Sequence, residues 1–351
     1  MAEYISFQPS DFFNPTLYTG TGSELTVTGV GFQSDISWLK DRSASQHHQL
    51  YDSVRGAGEV IYPNLSNVQG TVTQQLKSWN SDGYVIGTDG SVNTSSNLYA
   101  SWNWKAGSTS GKPTTDETIT PTSYSYSATQ GLSILKYTGT GSSGLINHGL
   151  GVKPKLVIIK NLTVGDDWLV YSEECTGVGY GLVLNTTAEK TGSWSWDCNT
   201  TANTFEVNGT SSTGTSQSGQ TYVAYCFANV QGYQKSGKYV GNGNADGTFV
   251  YTGFRPALVI TKYVESGGTG GWNIQDDKRN TYNPVDTILS ANTDGADSTS
   301  SGNAMDFLSN GFKWRANYSD GNTSGGVFLY LAIAKFPLVS SNDIPVVAGI
   351  K

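Results

Sequence analysis

Short runs of apolar residues, separated by polar turn sequences, recur along the whole chain. Residues 156–159 (LVII) and 257–260 (ALVI) are continuously apolar, and a third such run covers residues 222–228. Runs of this length that are rich in β-branched side chains are typical of strands covered on both faces. Weaker alternating segments lie between them, so the pattern predicts strands joined by turns throughout the sequence.

One arrangement of turn and strand occurs three times. A glycine turn at residues 18–22 (YTGTG), 137–141 (YTGTG) and 239–243 (YVGNG) precedes a motif that begins with glycine and ends with lysine, at residues 31–40, 151–160 and 253–262. Each copy closes with a strand-like segment that contains Ala100, Ala224 or Ala332. A repeat on this scale predicts one small folding unit used three times.

The repeat sets the expected domain boundaries. We predict an all-β fold of three tandem β-sandwich units, of jelly-roll or lectin-like type, with about six or seven strands in each unit. The units cover residues 17–107, 136–232 and 238–337, with an N-terminal arm at residues 1–16, a linker and lead-in strand at residues 108–135 and a C-terminal tail at residues 338–351. The tail is expected to cover a neighbouring unit or an adjacent subunit.

Two further expectations concern local structure. The only stretch that suggests a helix is a single turn around residues 46–53, because no segment shows a convincing amphipathic period. The apolar side chains expected in the cores include Leu156, Ile158, Tyr222 and Val259.

Composition agrees with a strand-rich protein and excludes several classes. Charged residues make up only 14% of the chain, aromatic residues reach 12%, and there are 43 glycines. This is neither the composition of a helical protein nor that of a disordered one. The net charge of −7 and the lack of a basic stripe argue against a nucleic-acid partner. With no long apolar stretch and no signal-peptide pattern at the amino terminus, we expect no membrane insertion.

The three cysteines do not form a disulfide framework. Cys226 lies on an apolar segment and is expected to be a buried thiol. Cys175 and Cys198 share one unit, so they are either free thiols or form a disulfide with each other.

Motifs for catalysis or cofactor binding are weak. Residues 139–144 match a dinucleotide glycine pattern without a helix to follow it, and residues 107–112 resemble a phosphate loop with the wrong spacing. His47, His48 and His148 are read as turn or surface residues, because adjacent histidines on a strand point to opposite faces. No nucleophile–base set is suggested by spacing, so we expect no enzyme activity, no catalytic residue, no cofactor and no metal.

Two features of the sequence each allow two interpretations. Carboxylates at Asp276, Asp277, Asp294 and Asp297, with Asn292, form an acidic patch that is read as a solvated loop, with calcium binding as the alternative. The motif lysines Lys40, Lys160 and Lys262, with Trp38, Trp168 and Trp272, either pack across the sheet or line a sugar-binding surface. Packing is the favoured interpretation, since all three copies share the pattern.

Several motifs together resemble a repeat domain of marine bacteriophage virion proteins, which are called tail-fibre-like or structural proteins. The matching pieces are residues 7–13, 18–22, 31–40, 52–56, 81–84 and 99–105, and the resemblance covers about residues 7–337. The sequence departs from the pattern at Ser34, where the other copies have Pro154 and Pro256. The second unit also lacks the arginine that the others carry as Arg55 and Arg279.

The resemblance implies a non-enzymatic virion structural protein on the particle exterior, made in the host cytoplasm. A tail fibre, spike or receptor-binding subunit is the first hypothesis, a capsid decoration or cement protein is the alternative, and a polysaccharide-degrading enzyme is the minor one. The expected partners are other virion proteins and a host-surface glycan or protein, with the chain acting as a homo-oligomer. Recognition is expected in the variable loops, at Ser95, Asn97, Ser211, Gly219, Asp294, Asp297 and Asn303.

Overall fold

The fold is all-β, as the sequence predicts. A computed structural model describes residues 7–176, 179–192, 198–209, 214–265 and 270–337. Strands take up 44% of the residues and helices 4%, and the strands form antiparallel sheets that pack as sandwiches.

The described strands fall into three successive groups, which we call the first, second and third sandwich. The first contains β1 (Phe13–Thr19), β2 (Leu25–Val27), β3 (Ile36–Asp41), β4 (Gln49–Asp52), β5 (Glu59–Val60), β6 (Gly70–Thr71), β7 (Leu76–Asn80), β8 (Gly83–Ile86) and β9 (Leu98–Trp104). The second contains β10 (Ser123–Ser127), β11 (Leu132–Thr138), β12 (Gly144–Asn147), β13 (Leu156–Asn161), β14 (Leu169–Ser172), β15 (Tyr180–Val183), β16 (Thr191–Gly192), β17 (Thr204–Val207) and β18 (Thr221–Phe227). The third contains β19 (Gln234–Val240), β20 (Phe249–Tyr251), β21 (Phe254–Glu265), β22 (Trp272–Asp276), β23 (Thr287–Ser290), β24 (Ser298–Thr299), β25 (Met305–Leu308), β26 (Gly311–Trp314) and β27 (Val327–Pro337).

One strand order recurs in the three large sheets. The orders are β1-β9-β3-β4, β10-β11-β18-β13-β14-β15-β16 and β19-β27-β21-β22-β23-β24, so the strand that carries the motif lysine always lies between the last strand and the strand that follows it in sequence. The small sheets, β2-β8-β7, β12-β17 and β20-β26-β25, also correspond. In each sandwich the glycine turn follows the end of the first strand. The strands β1, β11 and β19 therefore begin at residues 13, 132 and 234, before the predicted starts of the units at residues 17, 136 and 238. The predicted domain boundaries stay predictions.

Each motif strand faces two cores, which explains its continuous apolar run. Val259 packs in a core between the two sheets of its own sandwich, while Leu258 and Ile260 on either side of it belong to a core that all three sandwiches share. Leu156 faces this shared core and Val157 the core of the second sandwich. Burial of each such side chain contributes about 1.5–3 kcal/mol.

The expected core residues are placed accordingly. Leu156, Tyr222 and Val259 are buried, and Ile158 is partly buried against the shared core. Ile158, Trp38 and Ile260 border two small apolar cavities of about 40 and 20 Å³ in this shared core.

The predicted helical turn around residues 46–53 is wrong, because Gln49–Asp52 forms β4, whose four residues are all buried. The described helices are single turns: two 3₁₀ turns, Pro9–Asp11 and Ser301–Asn303, and the α-helical turns α1 (Gly90–Asn93) and α2 (Ser319–Asn322), which both precede the last strand of a sandwich. Asp89 caps α1 by accepting from the amide of Ser91.

Ring nitrogens join the three sandwiches in a closed cycle. His48, Trp168 and Trp272 all lie opposite or next to a motif lysine at the start of the strand that follows it. Trp168 Nε1 donates to the carbonyl of Tyr62 at 3.0 Å and Trp272 Nε1 to that of Val183 at 2.9 Å. His48 Nε2 lies 3.1 Å from the carbonyl of Ser290. The second sandwich thus binds the first, the third binds the second, and the first binds the third.

Candidate functional site

The molecule has two ends of different character. At the end that we call proximal, β1 and β3 both pair with Trp104, the aromatic ring of Phe7 packs on Tyr233 at 5.2 Å, and Pro337 pairs with Phe254. The described chain therefore starts, passes from the second to the third sandwich and stops at this end. The opposite, distal end carries the loops that follow the motif lysines and the three glycine turns.

The glycine turns are held by one repeated contact. The amide of Thr21 donates to Asn93 Oδ1 at 2.7 Å, that of Thr140 to Ser216 Oγ at 3.1 Å and that of Asn242 to Asn322 Oδ1 at 3.0 Å. The equivalent use of these amides in all three sandwiches identifies the turns as parts of the fold.

The nucleotide-like motifs are also used internally. In residues 139–144, the amides of Gly139 and Gly141 donate to carbonyls at 2.8 and 2.7 Å, so they are not directed at a phosphate. In residues 107–112, Lys112 forms a buried ion pair with Glu117 at 2.6 Å.

Some of the predicted contact residues lie at the distal end. Ser95 and Gly219 are exposed there, and Asn97 is half-buried because its Nδ2 donates to Asp41 Oδ2 at 2.7 Å. Ser211 lies outside the described residues. These positions flank equivalent glycine turns, since Ser96 and Gly219 donate to the carbonyls of Gly20 and Gly139.

The predicted contact loop of the third unit is instead part of the junction with the first sandwich. Asp297 binds Arg42 at 2.7 Å and Arg279 at 3.1 Å, and the carbonyl of Asp294 accepts from the amide of Gln46 at 3.0 Å.

Asn303, in the same loop, is buried, and its Nδ2 donates to a carbonyl at 3.3 Å. Asp297 and Asn303 are thus engaged by other groups of the protein, while the side chain of Asp294 is exposed, and a role of this loop in recognition stays a prediction.

A cavity of about 240 Å³ opens at the distal end, between the first and second sandwiches. Its floor contains the apolar side chains of Ile159 and Leu169, and two glycines leave room beside them. The polar groups that line it come from Ser66, Asn161, Asp166, Asp167, Thr215 and Tyr222.

The polar groups of this distal cavity are fixed by bonds to the protein. Asn161 Nδ2 donates to Asp166 Oδ2 at 2.9 Å, and Asn185 Nδ2 donates to Asp167 Oδ1 at 2.7 Å. The Tyr222 hydroxyl donates to the carbonyl of Gly214 at 3.1 Å. Each carboxylate keeps further acceptor positions, since it has about four lone-pair sites.

The motif lysines are buried at the junctions between sandwiches. Lys160 Nζ donates to the carbonyls of Asn161 at 2.6 Å and Ser66 at 3.3 Å, and Lys262 Nζ reaches the carbonyl of Thr187 at 3.1 Å. Lys40 Nζ donates to the carbonyl of Asp41 at 2.5 Å within the first sandwich. Burial lowers the pKa of Lys40, Lys160 and Lys262 to about 8.

Trp38, Trp168 and Trp272 are buried as well. The lysines and tryptophans therefore do not line an accessible sugar-binding surface, and of the two interpretations the internal one fits the geometry. The lysines bind carbonyl oxygens.

The histidines serve the fold. His48 is buried, accepts from Trp38 Nε1 at 2.8 Å through Nδ1 and donates through Nε2 to Ser290, which makes it neutral. Burial lowers its pKa well below the ordinary value, and burial also lowers the pKa of His148 to about 4. These two side chains are interior, which corrects the expectation of surface or turn residues.

The cysteines and carboxylates can be placed too. Cys175, Cys198 and Cys226 are free and buried, and burial raises the pKa of Cys175 to about 12. Within the described ranges, no group of three or more histidine, cysteine or acidic residues is arranged to hold a metal ion. In the acidic patch, Asp276 pairs with Arg279 at 2.6 Å and Asp277 with Lys335.

The distal cavity is the feature that sequence reasoning missed. Its polar residues come from four separate segments, at residues 66, 161–167, 214–215 and 222, which only the packing of two sandwiches brings together. The adjacent carboxylates of Asp166 and Asp167, in a loop directly after a motif strand, were the one signal in the sequence.

Comparison with known proteins identifies the family. Residues 8–337 match the family described as Domain of unknown function (DUF7483), and the chain belongs to this family. No curated protein and no solved structure matches the chain. In the part of the chain that the structure describes, no helix has the length and apolar character needed to cross a membrane.

Proposed function

We propose that the protein is a non-enzymatic structural and adhesion protein on the exterior of a bacteriophage particle, a tail fibre, spike or receptor-binding subunit. The observation that carries the proposal is the division between the two ends. The described chain begins at Phe7 and ends at Pro337 on the proximal side, and the glycine turns lie at the opposite, distal end, where Ser95 and Gly219 are exposed. Rigid sheets that present loops at one end suit attachment.

The distal cavity indicates the class of ligand, a neutral polyhydroxylated molecule such as a host-surface glycan. Asp166, Asp167 and Asn161 offer fixed hydrogen-bonding groups, and Ile159 and Leu169 offer an apolar floor for the C–H face of a sugar ring. A free cation fits less well, because the ammonium group of Lys160 lies close enough to interact with both carboxylates and offsets their charge.

A binding assay with the full-length protein tests this proposal. Asp167→Asn removes one exposed acceptor charge at the cavity, and loss of a hydrogen bond between a charged group and a ligand costs about 1.5–3 kcal/mol, or roughly tenfold or more in affinity. We expect weaker binding to immobilised host-surface glycan and weaker competition with particles for host cells.

The matched control is Asp11→Asn, which removes one exposed carboxylate from the 3₁₀ turn Pro9–Asp11 at the proximal end. It should leave both readouts unchanged. If the wild-type protein neither binds host glycan nor competes with particles, the adhesion proposal fails.

A capsid decoration protein is the second candidate. The observation that favours it is that the helices within the described ranges are single turns, so those ranges contain no coiled-coil shaft of the kind that many fibres use. Labelling of intact particles with an antibody against the protein separates the two, since label on the tail supports the first candidate and label on the head supports the second.

The remaining expectations have direct tests as well. Release of reducing sugar from host polysaccharide would reveal a polysaccharide-degrading enzyme, for which Asp166 and Asp167 would be the first carboxylates to replace. Light scattering of the purified chain tests whether it is a homo-oligomer, the state that we propose for the particle-bound protein.

A further inference from the structure

The small sheet of the third sandwich has an open edge with two exposed aromatic side chains. In the described structure β20 pairs with no strand except β26 and lies at the edge of its sheet, where the ammonium group of Lys235 donates to the Tyr251 carbonyl at 2.8 Å and lies over the Tyr251 ring. On this strand Phe249 is 43% exposed and Tyr251 is 54% exposed, on either side of the buried Val250. An aromatic side chain buries about 150–250 Å² when it is covered, so this edge has a large apolar area to gain from an added segment.

The corresponding edge of the second sandwich is covered by the chain itself. Thr118, in the linker, donates its amide to the carbonyl of Leu145 on β12 at 2.9 Å, and its Oγ1 accepts from the Leu145 amide at 2.7 Å. The next residue, Ile119, is buried in the core of that sandwich. The molecule thus shows how an extended segment closes this edge.

In the first sandwich, the corresponding edge strand β2 has polar residues at its exposed positions. Val27 in β2 is equivalent to Val250 in β20. Val27 pairs with Tyr84 and Val250 with Phe312, and each of these aromatic residues directly follows the glycine that begins β8 or β26. The neighbours of Val27 are the exposed Thr26 and Thr28, where β20 has Phe249 and Tyr251. Aromatic side chains at this edge are therefore particular to the third sandwich.

The position of the chain end points to an occupant. Pro337 pairs with Phe254, which follows β20 after a turn of two residues, so the last 14 residues, 338–351, continue from a point beside this edge. Their sequence includes Ile344, Val346, Val347 and Ile350, and at up to about 3.3 Å per residue they can easily span β20. Pro345 is compatible with an edge strand.

We propose that residues 338–351, which lie outside the described part of the chain, dock along β20 and cover Phe249 and Tyr251 as the linker covers β12. Main-chain pairing to the edge would supply the affinity, and the apolar side chains of the segment would supply the cover. This docking is independent of the adhesion proposed for the distal end.

Cysteine cross-linking in the full-length chain tests the proposal. Tyr251→Cys is combined in turn with a cysteine at each of residues 344–350, and the three native cysteines stay silent because they are buried. The control replaces Thr28, the equivalent of Tyr251, in combination with the same tail positions. Docking should raise the yield of the intramolecular disulfide at one or more tail positions at least about tenfold, both over the Thr28 control and over the other tail positions paired with Tyr251→Cys, because an undocked tail brings neighbouring positions to Tyr251→Cys about equally often.

Hydrogen exchange gives a second measurement on the same protein. The amides of Phe249 and Tyr251, which the register directs away from β26, should be protected in the wild type, and Val346→Asp and Ile350→Asp together should raise their exchange rate at least about tenfold. Cross-link yields no higher than the control, disulfides formed only between two molecules, or exchange unaffected by the tail substitutions would each overturn the proposal.

Discussion

Two of the three junctions between sandwiches are charged and the third is apolar. Where the second sandwich meets the first, the Tyr225 hydroxyl donates to Asp52 at 2.6 Å, and Asp52 also binds Arg55 at 2.6 Å. Where the first meets the third, Trp102 Nε1 donates to Asp276 at 3.1 Å, and Asp276 binds Arg279. Where the third meets the second, the equivalent positions hold Leu331, Ser172 and Cys175.

The comparison shows that three positions change together: the carboxylate, the arginine three residues after it and the residue of the neighbouring sandwich that contacts the carboxylate. A buried carboxylate needs its arginine and a further donor, and both charged junctions supply a ring N–H or a hydroxyl from the neighbouring sandwich. The apolar junction has lost the carboxylate and the arginine, and its neighbour presents Leu331 in place of a donor. In each junction the neighbour therefore matches the chemistry of the pair that it covers.

The strongest test breaks one buried pair. Arg279→Met keeps most of the volume of the side chain but leaves Asp276 buried without its partner. Burial raises the pKa of Asp276 and Arg279 lowers it, with a net value below the usual range, so removal of Arg279 reverses the balance. We expect the free energy of unfolding to fall by about 3–5 kcal/mol in urea denaturation.

Cys175→Ala at the apolar junction is the matched control, because Cys175 holds the same position as Arg279. Loss of one buried sulfur atom should cost only about 1 kcal/mol. Equal losses for the two variants would mean that the charged and apolar junctions do not differ in the way described.

The motif lysines provide a pH test of what all three junctions share. Their pKa is lowered by burial to about 8 from 10.5, so between these values the unfolded chain binds more protons than the folded one. Stability should therefore rise between pH 8 and about 10 and be lowest, from this cause, below pH 8. Above pH 10 the buried tyrosines, whose pKa burial raises, oppose the trend.

Melting curves from pH 7.5 to 9.5 measure this dependence. Lys160→Met should reduce the rise in melting temperature across the interval, whereas Lys77→Met, at an exposed lysine, should leave it unchanged. A melting temperature that falls steadily from pH 7.5 to 9.5 in the wild type would contradict the lowered pKa of these lysines.

Much of the fold could be predicted because it depends on local pattern. The glycine turn, the apolar run and the closing lysine sit in one short segment, and the backbone conformation that they favour is the one observed. The arginine missing from the second unit was visible too. The sequence did not show that the missing arginine goes together with Leu331 in the neighbouring sandwich. Leu331 is separated from Cys175 by more than a hundred residues, and only the sheet register shows that the two positions correspond.

The candidate site was harder to predict for the same reason. The loops differ in sequence between the copies, and nothing in that difference indicates that Asp297 is held by Arg42, a residue far away in sequence. Similarly, His48 lies eight residues after its motif lysine, as Trp168 does, but the change of residue type hid their equivalence. Contacts between sandwiches leave no periodic signal within either one.

A double substitution sharpens the comparison with a smaller effect. In Asp276→Asn combined with Arg279→Met, no charge is left buried, and the amide of residue 276 still offers an acceptor to Trp102. Replacement of a whole buried pair by uncharged groups is often neutral, so stability should return to within about 1–1.5 kcal/mol of the wild type. A double variant as unstable as Arg279→Met alone would show that the arginine acts mainly by packing.

The smallest expected effect concerns an ion pair on the surface of the apolar junction, between Lys190 of the second sandwich and Glu265 of the third. The carboxylate is 41% exposed, so water and salt screen the pair. Glu265→Gln should therefore cost at most about 1 kcal/mol in urea denaturation, and the difference should vanish in about 1 M salt. Arg315→Gln, at an exposed arginine within the third sandwich, is the control for loss of a surface charge. If Glu265→Gln lowered stability as much as Arg279→Met, and did so at high salt, the third junction would depend on charge as the other two do.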